Sequence, residues 1–212
     1  SLEGRADRRT GILNKTFAYY EKNARKFIEE TIDADMRDLH QAFLRRIPAG
    51  GHILDLGCGS GRDGRAFMSA GYTVVFVDAS QEMCKAVEAL TGQACACSTF
   101  ADYMPQERFD GIWACASLLH LRQADIRGII EKFLKFLLPG GCFYMSFKYG
   151  NFSGERDGRF FTDLTEESLR DILFGIGGMK KVETRVTADV RRGRSEGKWL
   201  NVYLIKAGKS VN

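Results

Sequence analysis

The sequence has no apolar run close to the roughly 20 residues that a membrane-spanning helix needs. Residues 1–10 are polar and rich in arginine, and no apolar stretch follows them, so we expect no secretory signal peptide. There is also no internal repeat, low-complexity tract or linker, although 212 residues suffice for one domain with its own core. These absences argue against a membrane protein and favour a single domain, residues 1–212.

Two further absences concern metals and nucleic acids. The six cysteines contain no C-x-x-C pair, which argues against a zinc site or a disulfide framework. Most of them lie in or beside apolar runs, so we expect free thiols in the reducing cytoplasm and no bound metal. The formal charge of +4 is too small by itself to indicate a nucleic-acid partner.

The most informative stretch that is present covers residues 52–62, which read HILDLGCGSGR. Strand-favouring residues lead to Asp55, and glycines follow at Gly57, Gly59 and Gly61. This order predicts a buried strand, a tight turn and the start of a helix. Glycine allows a positive φ and a close approach of a ligand to the backbone, and the helix N–H groups point towards that ligand.

Secondary structure alternates regularly after this stretch. Helical spacing of apolar residues first predicts an N-terminal cap of two helices, over residues 14–30 and about 33–46, behind a loose lead-in at 1–12. We then expect strands at 52–56, 73–78, 93–97, 110–116 and 142–148, helices at 61–70, 80–91, 122–137 and after Thr165, and a C-terminal hairpin at about 180–188 and 199–206.

This alternation predicts an α/β fold with a doubly wound, Rossmann-like, seven-stranded sheet. The sheet should be mostly parallel with an antiparallel C-terminal hairpin strand, and helices should cover both faces. Within the single domain we distinguish the helical cap (1–46), a cofactor-binding core (47–148), and a segment of substrate-side loops with the hairpin (149–212).

Two acids define the expected ligand. Asp55 precedes the first glycine, where a carboxylate suits a cation or amine and would repel a pyrophosphate. Asp78 ends the next strand, a position at which doubly wound folds bind ribose hydroxyls. The glycine spacing G-x-G-x-G also differs from the dinucleotide fingerprint G-x-G-x-x-G. The pocket is therefore predicted to bind a nucleoside with a charged, phosphate-free tail.

These residues resemble the class I S-adenosylmethionine-dependent methyltransferases. Residues 55–61 match the first motif of that family in full, and Asp78 matches its ribose-binding acid. FDGIW at 109–113 matches the opening of its fourth strand, and LPGG at 138–141 matches the turn before its fifth strand. The resemblance extends over about 40–206, and these motifs together are specific.

Within the class, the chain looks most like the small-molecule enzymes of the tellurite-resistance type. The features in common are FAYY at 17–20, the extension GRD at 61–63 and the short chain.

The resemblance implies S-adenosyl-L-methionine as the cofactor. Asp55 would bind near the amino group of the methionine part, Asp78 would hold the ribose, and Ser98 would accept from the adenine amino group. The full implied set of cofactor residues is Asp55, Gly57, Cys58, Gly59, Gly61, Asp78, Ala79, Met83, Ser98 and Phe100. Cys58 is expected to be a small packing residue of the loop and not a nucleophile, since nothing basic nearby would lower its pKa.

The acceptor is expected beyond the carboxyl ends of the strands. His120 is the candidate general base if the attacking atom loses a proton, although a histidine there could equally cap the following helix. A partly aromatic, partly cationic rim suggests a small or anionic acceptor, and its residues are Tyr20, Lys148, Tyr149, Arg159, Phe160 and Arg192. These side chains could instead be solvated charges and packing residues.

Residues 114–117 contain no proline, whereas amino-methylating nucleic-acid enzymes of this class have a Pro-Pro-aromatic turn there. We therefore expect a small-molecule acceptor, no nucleic acid and no membrane, with catalysis mainly by positioning and desolvation. A nicotinamide-dependent oxidoreductase and a non-catalytic cofactor-binding protein remain alternatives. A monomer and a homodimer are both compatible with the sequence.

Overall fold

The computed structural model describes residues 2–190 and 197–208. The helices within these ranges are α1 (Leu2–Thr31), α2 (Arg37–Leu44), α3 (Arg62–Ser69), α4 (Gln81–Thr91), α5 (Gln123–Leu134) and α6 (Glu166–Leu173). The strands are β1 (His52–Leu56), β2 (Thr73–Asp78), β3 (Cys95–Cys97), β4 (Phe109–Ala114), β5 (Leu137–Lys148), β6 (Ser153–Arg156), β7 (Arg159–Thr162), β8 (Met179–Ala188) and β9 (Lys198–Lys206). A short 3₁₀ helix, Leu118–His120, follows β4.

The main sheet has the order β3-β2-β1-β4-β5-β9-β8. Strands β1 to β5 run parallel, while β9 is antiparallel to both β5 and β8. The predicted Rossmann-like sheet with an antiparallel C-terminal strand is therefore confirmed. The strand order reverses between β1 and β4, which is where doubly wound sheets bind ligands.

Side chains on β1 alternate between the two faces of the sheet. Leu54 and Leu56 belong to one buried cluster, together with Ile130 of α5. Ile53 belongs to a second cluster on the opposite face, together with Phe43 of α2 and Phe67 of α3. Both faces are covered by helices, as the buried apolar strands require.

The N-terminal helix is longer than the sequence pattern suggested. The loose lead-in expected at 1–12 is wrong, because α1 already begins at Leu2. The segment has no long apolar stripe, but six of its twelve residues, namely Leu2, Glu3, Ala6 and three arginines, have high helix propensity. Helix α1 packs against β7 and α4 and so covers the carboxyl edge of the sheet. None of the helices in the described ranges has both the length and the apolarity that a bilayer crossing requires.

A second, two-stranded sheet, β6–β7, lies where we expected an irregular loop. Its turn is Asp157-Gly158, and both residues have a positive φ, 49° and 77°. Such a pair forms the type I′ turn that closes two-residue hairpins, so the Asp-Gly dipeptide was the available sequence signal. Strand β5 also begins earlier than predicted, at Leu137, and α5 ends at Leu134.

Candidate active site

The glycine loop, residues 57–61, joins β1 to α3 at the reversal of strand order. The backbone N–H groups of Gly57 and Cys58 both donate to the carbonyl of Val77, at 2.8 and 3.0 Å. Gly57 has a φ of 74°, and a Cβ added there would lie 2.5 Å from Cβ of Ser117. The loop is therefore held to β2 and packed so closely that only glycine fits at its first position.

Asp78 connects the same loop to the end of β2. One carboxylate oxygen accepts the N–H of Gly59 at 2.8 Å, and the other accepts the N–H of Ser80 at 2.9 Å. Ser80, not Asp78, caps α4 by accepting the N–H of Met83 at 3.2 Å. Burial raises the pKa of Asp78 to about 6, against the effect of the backbone donors.

Asp55 is the more deeply buried acid, with 2% of its surface exposed. Its carboxylate accepts the N–H of Gly64 at 3.2 Å. Burial, followed by the neighbouring charge of Asp63, raises the pKa of Asp55 well above its ordinary value. A buried carboxylate of this kind would be stabilised by a cationic ligand group, because the ligand would supply the charge partner that the site lacks.

Asp63, in contrast, has its charge partners in place. It accepts from Arg62 at 2.8 and 3.0 Å, from Nε1 of Trp113 at 2.9 Å, and it lies 2.9 Å from Nε2 of His40. Burial alone would raise the pKa of Asp63, but Arg62 and His40 hold it below its usual range. This network fixes the start of α3 beside the glycine loop.

A single continuous cavity follows the carboxyl ends of the strands. Its lining includes the catalytic candidate His120, Tyr20 of the predicted acceptor rim and eight predicted cofactor residues, namely Asp55, Gly57, Cys58, Gly59, Asp78, Ala79, Met83 and Phe100. Gly61 and Ser98, the other two predicted cofactor residues, do not line this cavity. Gly61 is the N-cap of α3, and Ser98 donates its N–H to the carbonyl of Asp78 at 2.9 Å.

The predicted acceptor rim is mostly placed outside the lining. Lys148 lies over the ring of Phe161 at 4.9 Å, and Arg159 lies over the ring of Tyr19 at 4.4 Å. The exposed Tyr149 donates its hydroxyl to Glu166 at 2.9 Å. Phe160 contacts His120 through its backbone carbonyl, and Arg192 lies outside the described residues.

Tyr20 and His120 meet inside the cavity. Nδ1 of His120 lies 2.7 Å from the carbonyl oxygen of Phe160, which can only accept, so Nδ1 bears the hydrogen. Nε2 then accepts the hydroxyl of Tyr20 at 2.8 Å, while Arg159 donates to the Tyr20 oxygen at 3.5 Å. Burial lowers the pKa of His120 to about 4 and raises that of Tyr20, so both side chains are neutral near pH 7.

The far end of the cavity has polar residues that we did not predict. Tyr144 donates its hydroxyl to Asn201 at 2.7 Å, and Ser146 accepts the N–H of Ala116 at 2.8 Å. Tyr144 and Ser146 lie on the same face of β5 as Lys148, because alternate residues of a strand share a face. Counting back in steps of two from Lys148 could therefore have identified them in the sequence. Ala116 itself has a positive φ of 49°, a strained conformation of the kind found at functional sites.

Comparison with known proteins agrees with this geometry. Residues 53–141 match the family model of a methyltransferase domain. No curated protein matches the sequence.

Several solved structures have the same fold. The 1,6-didemethyltoxoflavin-N1-methyltransferase of Burkholderia thailandensis, with bound 1,6-didemethyltoxoflavin and S-adenosylhomocysteine, is 20% identical with a TM-score of 0.70, over 93% of this chain and 88% of that chain. The DhpI–SAH complex is 20% identical with a TM-score of 0.68, over 93% and 98% of the two chains. The N-methyltransferase NodS of Bradyrhizobium japonicum, in complex with S-adenosylhomocysteine, is 18% identical with a TM-score of 0.61, over 87% and 98%. Residues 53–141 therefore match a methyltransferase domain in sequence, and the chain has the Rossmann-like fold of these methyltransferase structures.

Proposed function

We propose that this protein is an enzyme that transfers a methyl group from S-adenosylmethionine to a small-molecule acceptor. The observation that carries the proposal is the placement of Asp55, the glycine loop and Asp78 along one cavity that continues to Tyr144 and Asn201. A nucleoside with a cationic tail fits the first three features, and the far end leaves room for a second molecule. S-adenosylmethionine supplies the methyl group as part of a sulfonium ion.

The residues of the chain would act mainly by binding and orientation. Asp78 would accept from the ribose hydroxyls, and Asp55 would face the amino group of the methionine part. Helix α1 covers the cavity through Phe17, Tyr20 and Phe27, which excludes water from the reacting groups. Holding the acceptor in line with the methyl group removes much of the entropic barrier without any proton transfer.

The charges of the lining favour an uncharged or amine-bearing acceptor over the anionic one that we expected. Among the described lining residues Arg62 is the only permanent cation, and Asp63 already pairs with it. The acids of the lining are Asp55, Asp63, Asp78, Asp125 and Asp189. Asp125 is in turn paired with Arg122, so the described lining offers an anion no cation that lacks a carboxylate partner, whereas a neutral or amine-bearing molecule needs none.

Several finer predictions stay open to experiment. The tellurite-resistance subtype, a base role for His120, a cytoplasmic location and a monomeric or homodimeric state are all compatible with this proposal. A panel of amines, phenols, thiols and carboxylates, tested with labelled cofactor, would identify the acceptor class. Transfer to carboxylates or oxyanions in preference to amines and neutral acceptors would contradict the charge argument.

Cofactor binding gives the direct test. We expect S-adenosylhomocysteine to raise the melting temperature and to bind with measurable heat, and we expect no effect of NAD or NADP. Asp78→Asn should weaken this binding by about 1–3 kcal/mol, because buried hydroxyls of the ligand lose a charged acceptor. The matched control is Asp171→Asn, at an exposed acid of α6 outside the cavity lining.

Binding of a nicotinamide nucleotide without binding of S-adenosylhomocysteine would favour the oxidoreductase alternative. Binding of S-adenosylhomocysteine without transfer to any acceptor in the panel would favour the non-catalytic alternative.

A further inference from the structure

We propose that Cys58 and Cys95 are a modification site, where a hydroperoxide forms a reversible disulfide that distorts the cofactor cavity. Their two Sγ atoms lie 3.7 Å apart, although the residues are far apart in the chain. Cys58 belongs to the glycine loop and lines the cavity, and Cys95 is the first residue of β3. The bond itself does not depend on the proposed function, whereas its effect on cofactor binding does.

The two thiols are placed to react with a small oxidant. Both are partly exposed, and Cys58 faces the cavity that a dissolved molecule can enter. Cys84 of α4 also lies within hydrogen-bonding reach of Cys95, which makes it the competing partner. In the described part of the chain no group of three His, Cys, Asp or Glu side chains could hold a metal ion. The 3.7 Å separation of the two sulfurs places the pair within reach of disulfide formation.

The order of the two steps follows from the hydrogen bond between the thiols. The bond from Cys58 lowers the pKa of Cys95, while burial raises that of Cys58 well above its ordinary value. Cys95 is thus the nucleophile, and its thiolate attacks one oxygen of the hydroperoxide. The O–O bond breaks, hydroxide leaves and takes up the thiol proton as water, and Cys95 becomes a sulfenic acid.

The second step forms the disulfide. The sulfur of Cys58 attacks the sulfenic sulfur of Cys95, the S–O bond breaks, and the leaving oxygen departs as a second water with the proton of Cys58. With hydrogen peroxide, two thiols lose two electrons and two hydrogens in total, and the peroxide is reduced to two waters. A dithiol reductant reverses the reaction by exchange.

A disulfide would distort the cofactor cavity whichever side moves. The sulfurs must approach from 3.7 Å to about 2 Å, while Cys58 and its neighbour Gly59 are held to β2 by hydrogen bonds to Val77 and Asp78. The side with fewer strand partners is β3, an edge strand of three residues. Strand β3 leads directly into Thr99 and Phe100, which line the cavity, so its displacement moves that wall.

The test uses the full chain, treated with hydrogen peroxide and then passed into peroxide-free buffer. We expect non-reducing peptide mapping to find a Cys58–Cys95 linkage. The affinity for S-adenosylhomocysteine should fall by about tenfold or more and should recover with dithiothreitol. S-adenosylhomocysteine present during oxidation should slow formation of the disulfide, because it covers Cys58, which must attack the oxidised Cys95 in the second step.

Two variants test whether Cys95 is the cysteine that reacts. After peroxide treatment, Cys95→Ser should keep its affinity for S-adenosylhomocysteine. Cys97→Ser, at the exposed cysteine two residues away, should lose affinity as the protein without substitutions does. A Cys84–Cys95 linkage, or a Cys58–Cys95 linkage that leaves affinity unchanged, would overturn the proposal. If the reduced protein binds no S-adenosylhomocysteine, the proposed function fails, and peptide mapping still decides whether the disulfide forms. If Cys95→Ser does not fold, the proposal is decided by two measurements on the protein without substitutions. These are peptide mapping of the disulfide and recovery of the affinity for S-adenosylhomocysteine with dithiothreitol.

Discussion

The hydroxyl of Tyr20 donates to Nε2 of His120 at 2.8 Å, and this bond joins helix α1 to the loop after β4. The other ring nitrogen of His120 donates to the carbonyl of Phe160, which adds β7 to the same chain of hydrogen bonds. The lone pair with which His120 could act as a base is therefore already occupied. A proton from an acceptor can reach His120 only through the Tyr20 oxygen or after Tyr20 has moved.

We predict that Tyr20→Phe lowers the free energy of unfolding by about 1–3 kcal/mol, because Nε2 of the buried His120 loses its donor. Tyr19→Phe is the control, since the Tyr19 hydroxyl is not part of this chain of bonds and its ring still packs edge-on against Tyr20. Chemical denaturation of both variants checks the prediction. If both variants were equally stable, the bond would contribute nothing measurable to holding α1.

The same variant separates binding from catalysis. If the Tyr20–His120 pair only positions α1, KM for both substrates should rise with little change in kcat. A large fall in kcat with unchanged KM would instead indicate that the pair handles a proton in the reaction.

The pH dependence of stability provides a second prediction. Burial lowers the pKa of His120 to about 4, whereas an unfolded histidine titrates near 6.5. The folded protein therefore binds fewer protons than the unfolded chain between these two values. The contribution of neutral His120 to the free energy of unfolding is fully present above about pH 6.5. It is lost as the pH falls towards 4, and the loss is about 3 kcal/mol at most.

Asp78 works in the opposite direction in the same range. Its folded pKa of about 6 lies above that of an unfolded aspartate, so its protonation favours the folded state as the pH falls. The contribution of His120 is isolated by comparison with His120→Gln, in which Asp78 titrates unchanged. The stability difference between the two proteins, measured by denaturation from pH 7 to 4.5, should shrink as the pH falls. A constant difference would mean that His120 does not titrate with a lowered pKa.

The sequence was most informative where chemistry constrains the backbone. The order of strands and helices, the glycine loop and the position of Asp78 follow from local patterns, namely apolar runs, glycine spacing and an acid at a strand end. Asp55 and Asp78 are both placed in the cavity, as expected from their strand ends. These features depend on residues close together in the chain, so a pattern of a few residues is enough to predict them.

The acceptor side depends on contacts between distant segments, which no local pattern encodes. Tyr144 meets Asn201 only because β9 pairs antiparallel with β5 in one particular register. Lys148 and Arg159 looked like an anion-binding rim, yet each is placed over an aromatic ring outside the cavity lining. A cation on a strand end can pack on an aromatic face as readily as it binds a ligand, and the sequence does not distinguish the two.

A third prediction concerns proton release on cofactor binding. The raised pKa of Asp55, caused by burial and then by Asp63, means that its carboxyl group retains a proton at a higher pH than an exposed aspartate. A ligand ammonium beside Asp55 would favour the ionised form and expel that proton. The observed enthalpy of S-adenosylhomocysteine binding should therefore differ between phosphate and Tris buffers at the same pH.

The control for proton release is Asp55→Asn. This variant should bind S-adenosylhomocysteine more weakly, and its binding enthalpy should be the same in the two buffers. The same buffer dependence in this variant would assign the proton to another group, for which Asp78 is a candidate because it lines the same cavity and has a raised pKa.

The last prediction compares two glycines that share a left-handed backbone. Gly57 has a φ of 74° and Gly71 a φ of 90°, so an alanine at either position introduces backbone strain of about 1–2 kcal/mol. At Gly71 the new Cβ meets no atom within 4 Å, whereas at Gly57 it lies 2.5 Å from Cβ of Ser117. Ser117 cannot easily yield, because its hydroxyl donates to the carbonyl of Leu56 at 2.8 Å.

Gly71→Ala should therefore be destabilised only by the backbone strain and should keep its affinity for S-adenosylhomocysteine. Gly57→Ala should be destabilised further and should lose binding, because either the glycine loop or the loop containing Ser117 must shift. Thermal unfolding with and without ligand measures both effects on the same samples. Equal destabilisation of the two variants, or a Gly57→Ala protein that still binds, would show that the close contact between Gly57 and Ser117 is not required for the cofactor site.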